Sequence, residues 1–145
     1  MNSKVRILFT KIFLSLIMNN PLCSSKIRRL ALIICGAKIG KGTFIGQNVY
    51  FDPLLIQNIS IGTNCIITSN VSILTHFYGS DRKFQFGKVD IGDDVFVGMN
   101  TLITKPIKIG NKSIVGGGSV ITKDIPSNVV AVGNPCRVIR KIDEK

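Results

Sequence analysis

The stretch IGDDVFVGMNTLITKPIKIGNKSIVGGGSVI, residues 91–121, carries a branched aliphatic at every sixth position: Ile91, Val97, Ile103, Ile109, Val115 and Ile121. Gly92, Gly98, Gly110 and Gly116 follow four of them. Four residues after each aliphatic comes a small or branched side chain: Val95, Thr101, Ile107, Ser113, Ser119 and Ile125. The same register runs earlier through Ile39-Gly40, Ile45-Gly46, Ile61-Gly62, Ile67-Thr68 and Ile73. A helix repeats every 3.6 residues and a strand every two, so neither gives a strict period of six. A solenoid whose flat sides recur every six residues does.

In such a coil each aliphatic lies above its equivalent on the next turn. Burial of each contributes roughly 1.5–3 kcal/mol, so about ten make a sufficient core. The small residues fit where the interior narrows. The glycines, with Asn48, Asn64 and Asn111, are expected at corners whose backbone conformation is costly for other side chains. A short solenoid leaves its ends and faces open, which points to self-association. Two interruptions break the period. Ile45 to Ile61 spans sixteen residues, so 51–55 must bulge or cut a corner. Ile73 to Ile91 spans eighteen, the length of one full coil if each coil has three sides, yet residues 75–88 lose the aliphatic pattern and read as a loop leaving the solenoid.

A chain of 145 residues with 45% hydrophobic content fits one globular domain. Cys23, Cys35, Cys65 and Cys136 lack any CxxC spacing, which argues against a disulfide framework or zinc site and for a cytoplasmic protein. No metal is expected. The net charge of +11 is uneven: Lys4, Arg6, Lys11, Lys26, Arg28, Arg29, Lys38 and Lys41 all precede the first acid, Asp52. The apolar run from Ile12 to Met18 falls short of the about 20 residues a membrane span needs. It also lacks a small-residue cleavage site and runs on into the repeat, against a signal peptide. The spacing predicts two helices, Lys4 to Met18 and Ser25 to Cys35, separated by Asn19-Asn20-Pro21 and closed by Gly36. Their apolar faces would cap the open solenoid end. Their charge adds a second reading, contact of residues 1–35 with an anionic membrane surface.

His76 is the only histidine. A lone histidine is commonly structural, but this one lies on a segment projecting from a rigid scaffold, where chemistry concentrates. It can accept a proton near neutral pH, which makes it the candidate general base.

The repeats, the Ile73-Leu74-Thr75-His76 segment and the ending together resemble the hexapeptide-repeat acyltransferases. The ending runs Ile109-Gly110-Asn111, then Val115 through Pro126, then Val132-Gly133-Asn134-Pro135-Cys136-Arg137-Val138-Ile139-Arg140-Lys141-Ile142. Within that family the chain is most similar to sugar O-acetyltransferases of the maltose/galactoside and surface-polysaccharide type, over roughly residues 36–142. The resemblance implies an all-β, left-handed parallel β-helix with a short N-terminal helical segment. It divides the chain into a basic apolar segment 1–36, a β-helix 37–130 with loop 75–88, and a CoA-binding tail 131–145. It also implies a homotrimer with clefts between subunits, and acetyl-CoA as co-substrate with a sugar or polysaccharide precursor as acceptor. His76 would then be the base, and backbone amides near Gly98 and Met99 would hold the oxyanion. Gly98, Met99 and Gly117 would line the pantetheine groove, with Thr122 and Lys123 further along. Lys123, Arg137 and Arg140 would meet the CoA phosphates, with Pro135 turning the chain to bring both arginines in.

The chain departs from the family in two places. It has Phe96-Val97-Gly98 where many relatives carry a tryptophan, and Phe77-Tyr78 where acids often flank the histidine. The partner of His76 Nδ1 is therefore open among Asp52, Asp81 and a backbone carbonyl. Asn70, like Asp52 and Asp81, is a candidate on the acceptor side. Transfer to another acceptor (amino sugar, serine or a drug hydroxyl) and a catalytically silent scaffold are the competing readings. A three-histidine zinc site of the carbonic anhydrase kind is excluded by the single histidine. Nucleic acid is a poor partner, because the basic residues sit in the leader and tail with no interleaved aromatic platform.

Overall fold

The computed structural model describes residues 3–142. Helices α1 (Ser3–Met18) and α2 (Ser25–Ile34) lead into a parallel β-solenoid. The first coil carries β1 (Lys38–Ile39), β2 (Phe44–Ile45) and β3 (Tyr50–Phe51); the second carries β4 (Ile59–Ile61), β5 (Ile66–Ile67) and β6 (Ser72–Ile73). A hairpin follows, β7 (His76–Tyr78) and β8 (Phe84–Phe86). The third coil holds β9 (Val89–Ile91), β10 (Phe96–Val97) and β11 (Leu102–Ile103); the fourth holds β12 (Lys108–Ile109), β13 (Ile114–Val115) and β14 (Val120–Ile121). The chain ends in β15 (Val129–Val132) and an antiparallel return strand, β16 (Arg137–Lys141).

Equivalent strands stack into three sheets, β1-β4-β9-β12, β2-β5-β10-β13-β15-β16 and β3-β6-β11-β14. The period of six becomes three buried ladders. Ile39, Ile61, Ile91 and Ile109 form one; Ile45, Ile67, Val97, Val115 and Ala131 the second; Phe51, Ile73, Ile103 and Ile121 the third. The small residues Thr101, Ser113 and Ser119 are buried beside them. Their hydroxyls are satisfied by backbone carbonyls, as Thr101 Oγ1 to Gly98 O at 2.7 Å, so burying them leaves no orphaned donor.

Two of the three corners turn through left-handed residues. Gly42, Asn64, Asp94, Lys112 and Asn128 line one, and Asn48, Asn70, Asn100 and Gly118 the other, with φ between 53° and 78°. Asn and Asp tolerate this region because their side chains bond locally to backbone. Asn111, expected there, is not: Lys112 takes the position, and Asn111 Oδ1 accepts from Asp93 N at 3.0 Å. The glycines after the aliphatics also have another cause. A Cβ on Gly98 would strike the Gly117 amide nitrogen of the next coil, so this glycine permits close stacking and not a special φ.

The third corner collects the insertions. Residues 52–58 bulge through a 3-10 turn, Ile56–Asn58. The interval from Ile73 to Ile91 is not a full coil, as its length suggested. Ile91 stacks on Ile61 and Ile103 on Ile73, so 74–88 is a single corner enlarged by the β7-β8 hairpin. The expected loop 75–88 leaves the solenoid as a loop built around a short two-stranded hairpin.

Both helices cover the first coil. Thr10, Leu14 and Met18 of α1 and Ala31 and Leu32 of α2 are buried, and Met18 O accepts from Asn48 N at 3.0 Å. Ser24 caps α2, which stops one residue before Cys35, and Gly36 with φ 107° leads the chain into β1. Arg29 Nε donates to Gly40 O at 2.8 Å and Arg28 Nη2 to Asn20 O at 3.0 Å. These two cations of the basic leader are therefore spent on internal carbonyls.

Candidate active site

The enlarged corner is where titratable groups meet. Asp52 follows β3 and Thr75-His76 follows β6, and these strands are stacked neighbours, Phe51 beside Ile73. The bulge at 52–58 lets Asp52 turn back toward the coil above it. Asp52 is 1% exposed, and all its bonds are local to this corner. Its Oδ1 accepts from Leu54 N at 3.0 Å. Its Oδ2 accepts from Thr75 N at 3.0 Å and from Thr75 Oγ1 at 2.5 Å, and lies 2.6 Å from His76 Nδ1. Burial by itself would raise the Asp52 pKa. The bonds from Thr75 Oγ1, Leu54 N, His76 and Thr75 N outweigh it and hold the carboxyl below its ordinary value. Ionised Asp52 can only accept, so Nδ1 carries the hydrogen and His76 presents the lone pair of Nε2. The imidazole is 31% exposed, enough for a reactant to reach it.

The hairpin gives His76 a wall. Residues directly opposed in an antiparallel pair share a face. His76 is opposite Phe86 and Tyr78 is opposite Phe84, so all four line one side. The Phe84 ring lies 5.1 Å from the His76 ring and 5.6 Å from Tyr78. Phe77 and Gln85 face the other way, with Lys105 Nζ 5.5 Å from the Phe77 ring centre. Below the corner, a cavity of about 150 Å³ opens between α1 and the first coil, lined in part by Lys11, Ser15, Tyr50 and Pro53.

Of the three candidate partners for His76, the structure brings in Asp52. Asp81 lies at the hairpin tip, half exposed, accepting from Lys83 N at 3.1 Å. Asn70 is exposed at the far end of β6 from His76, its amide donating to Gln47 O at 3.0 Å. Gly98, Met99 and Gly117 come together at the second corner, where Gly118 N donates to Met99 O at 2.7 Å. The amide of Gly98 is committed to Val115 O at 2.8 Å, which removes it as an oxyanion donor. Met99 N has no hydrogen-bond partner among the described residues. Thr122 and Lys123 lie at the third corner, two coils beyond the one His76 leaves, hence about 10 Å along the axis at the usual strand spacing.

Arg137 and Arg140 differ by an odd number, which would set them on opposite faces of a regular strand. A register shift in β16 corrects this. Arg137 pairs with Val132 and Arg140 with Val130, so Ile139 is the extra residue and both arginines share the outer face of the second sheet. The chain turns into β16 through a cis Asn134-Pro135 bond. Within one chain the candidates are therefore divided. His76, Thr122 and Lys123 occupy the third corner; Gly98, Met99 and Gly117 occupy the second; the arginines lie on the second sheet. Among the described residues no three His, Cys, Asp or Glu side chains form a metal-binding group.

Sequence reasoning missed the Thr75 hydroxyl, the aromatic face and the β16 bulge. The pairing of Phe84 and Phe86 with Tyr78 and His76 is legible only once residues 75–88 are read as a hairpin, for which the Gly79-Ser80-Asp81 turn residues are the available signal.

Known proteins resemble this chain in sequence and fold. Residues 88–123 match the family described as bacterial transferase hexapeptide (six repeats), and residues 36–75 match the hexapeptide repeat of succinyl-transferase. The galactoside O-acetyltransferase of Escherichia coli (strain K12) is 35% identical over 116 residues, covering 73% of this chain and 57% of that protein. The crystal structure of a maltose O-acetyltransferase from Clostridium difficile 630 is 32% identical with a TM-score of 0.76, over 98% of this chain and 89% of that one. A galactoside acetyltransferase solved in complex with coenzyme A is 26% identical with a TM-score of 0.73, over 97% of this chain and 82% of that one. The chain spans 53–62% of the length of the curated relatives it resembles in sequence.

Proposed function

The chain belongs to the bacterial hexapeptide-repeat transferases, and from that premise we propose that it moves an acetyl group from acetyl-CoA to a hydroxyl of a sugar or surface-polysaccharide precursor. The observation that carries this reading is the Asp52–His76 pair, 2.6 Å apart on an accessible corner of the solenoid. His76 Nε2 takes the proton of the acceptor hydroxyl while that oxygen attacks the thioester carbonyl. The buried Asp52 carboxylate stabilises the imidazolium that forms. The tetrahedral intermediate collapses, the carbon–sulfur bond breaks, and the imidazolium returns its proton to the departing CoA sulfur. No covalent enzyme intermediate is needed. The unpartnered Met99 amide is the donor suited to the oxyanion.

The coils are taken as left-handed, as the family resemblance implies, and the working unit as a homotrimer. Two observations support the trimer. The cofactor candidates at the second corner and on the second sheet are separated from His76 within one chain. The outer face of that sheet presents Phe44, Ile66, Phe96 and Ile114, each 37–47% exposed, a ladder suited to a neighbouring subunit. A cleft between subunits would unite the two groups. Lys123, Arg137 and Arg140 supply cations for the CoA phosphates, and Thr122 lies on the way. Asn70 is assigned to the acceptor side, and the cytoplasm is the compartment of the reaction.

The test is release of CoA with a panel of free, nucleotide-linked and lipid-linked sugars, alongside serine and amino sugars. His76→Ala is expected to lower kcat on the order of 10²–10⁴. Equal activity in the two proteins removes the mechanism, and turnover only on serine or an amino group removes the sugar hydroxyl.

A further inference from the structure

We propose that the outer face of α1 docks on an anionic lipid bilayer, lying in the headgroup region without crossing it. Helix α1 has two apolar stripes. Leu14 and Met18 are buried in the core, Phe13 and Ile17 pack against it, and Thr10 is buried on the same side. Val5, Leu8, Phe9, Ile12 and Leu16 form a second ridge at spacings of three, four, seven and eleven, each 52–68% exposed. Capping the solenoid uses the first stripe and leaves the second unexplained. The ridge is about 16 Å long at 1.5 Å per residue. Ile27, Leu30 and Ile34 of α2 repeat the pattern, and Leu22 between the helices is 89% exposed.

Charge selects the occupant. Residues 3–51 hold no acid; Arg6 and Lys11 are exposed on α1 beside the ridge, and Lys26 is exposed on α2. Arg28 and Arg29 are turned inward, so the cations left outward are those flanking the apolar stripe and the first coil. A second copy of this segment would bring like charges together on a chain already at +11. An anionic headgroup layer satisfies both the ridge and its cations. No helix among the described residues is long and apolar enough to cross a membrane, which leaves the surface.

The full chain is sedimented with phosphatidylcholine vesicles, with or without added phosphatidylserine. The variants are Leu8→Ser with Ile12→Ser, which removes the ridge, and Arg6→Glu with Lys11→Glu, which reverses its charge. The altered residues are exposed, and circular dichroism with thermal melting checks that both variants fold. The expected result is wild-type binding to the mixed vesicles at low salt, no binding to phosphatidylcholine alone, and at least about a tenfold loss in each variant. Wild-type protein left in the supernatant with the mixed vesicles overturns the proposal. So does undiminished binding by the ridge variant. A ridge variant that changes only the self-associated mass assigns the face to a second copy and also overturns it. Transferase activity without vesicles is independent of every arm.

Discussion

Asp52 Oδ2 lies 2.6 Å from His76 Nδ1 although 24 positions separate them. Their strands, β3 and β6, are neighbours in one sheet, so a single coil of solenoid brings the two together. The same oxygen accepts from Thr75 N and Thr75 Oγ1, which fixes the carboxylate before any substrate arrives. Asp52 is thus a positioning residue, acting through the imidazole.

Replacing Asp52 by Asn keeps the shape and removes the charge opposite the imidazolium. We expect kcat to fall on the order of 10–10³ while the KM for acetyl-CoA stays within about twofold. Steady-state kinetics beside a melting curve make the distinction. A fall in kcat no larger than the loss of folded protein at the assay temperature would mean the residue only holds the corner together.

Asp52 also makes stability depend on pH. Its carboxyl titrates lower in the folded protein than in the unfolded chain, where aspartate has a pKa of about 3.9. The unfolded state therefore binds protons first as the pH drops. The stabilising contribution is complete above about pH 5 and is lost as the pH falls through the folded-state value. Urea denaturation of wild type and Asp52→Asn should show a gap at pH 7 that narrows toward pH 3. A gap independent of pH contradicts the assignment.

Two glycines one coil apart should respond differently to alanine. At Gly98 the new Cβ meets the backbone of Gly117, which cannot yield without parting the coils. At Gly118 nothing lies within 4 Å, and only the φ of 70° is strained. Gly118→Ala should cost about 1–2 kcal/mol, and Gly98→Ala about 3 kcal/mol or more. Chemical denaturation reports both, and equal costs would refute the contrast.

Arg137→Ala and Arg140→Ala should each raise the KM for acetyl-CoA by about tenfold and leave kcat near wild type, the pattern of lost ground-state binding. The bulge at Ile139 puts both on one face, so the double variant should lose more than either alone. If neither substitution moves KM, the arginines belong to the surface and not to the phosphates.

The solenoid was legible because its signal is local and repeated. One aliphatic every six residues has a single economical burial, and Ile91, Val97 and Ile103 each lie where the period put them. The breaks were legible as breaks and not as shapes. Eighteen residues between Ile73 and Ile91 matched a full coil by length, and the stacking of Ile91 on Ile61 shows it to be one corner and a hairpin. His76 stood out by being unique, whereas Asp52 was one candidate among three. Its separation from Asp81 depends on how the bulge at 52–58 and the hairpin turn in space.

The sequence by itself determined the period, the buried aliphatic ladders, the helical cap and the family, because each follows from side chains near one another along the chain or repeated at a fixed interval. Only the tertiary structure decided which carboxylate meets His76, which face of β16 carries Arg137 and Arg140, and which stripe of α1 is left uncovered. Those depend on stacking between coils and on one-residue shifts in register. A stacked neighbour is eighteen or more residues away, and a one-residue bulge reverses a face without altering composition or pattern.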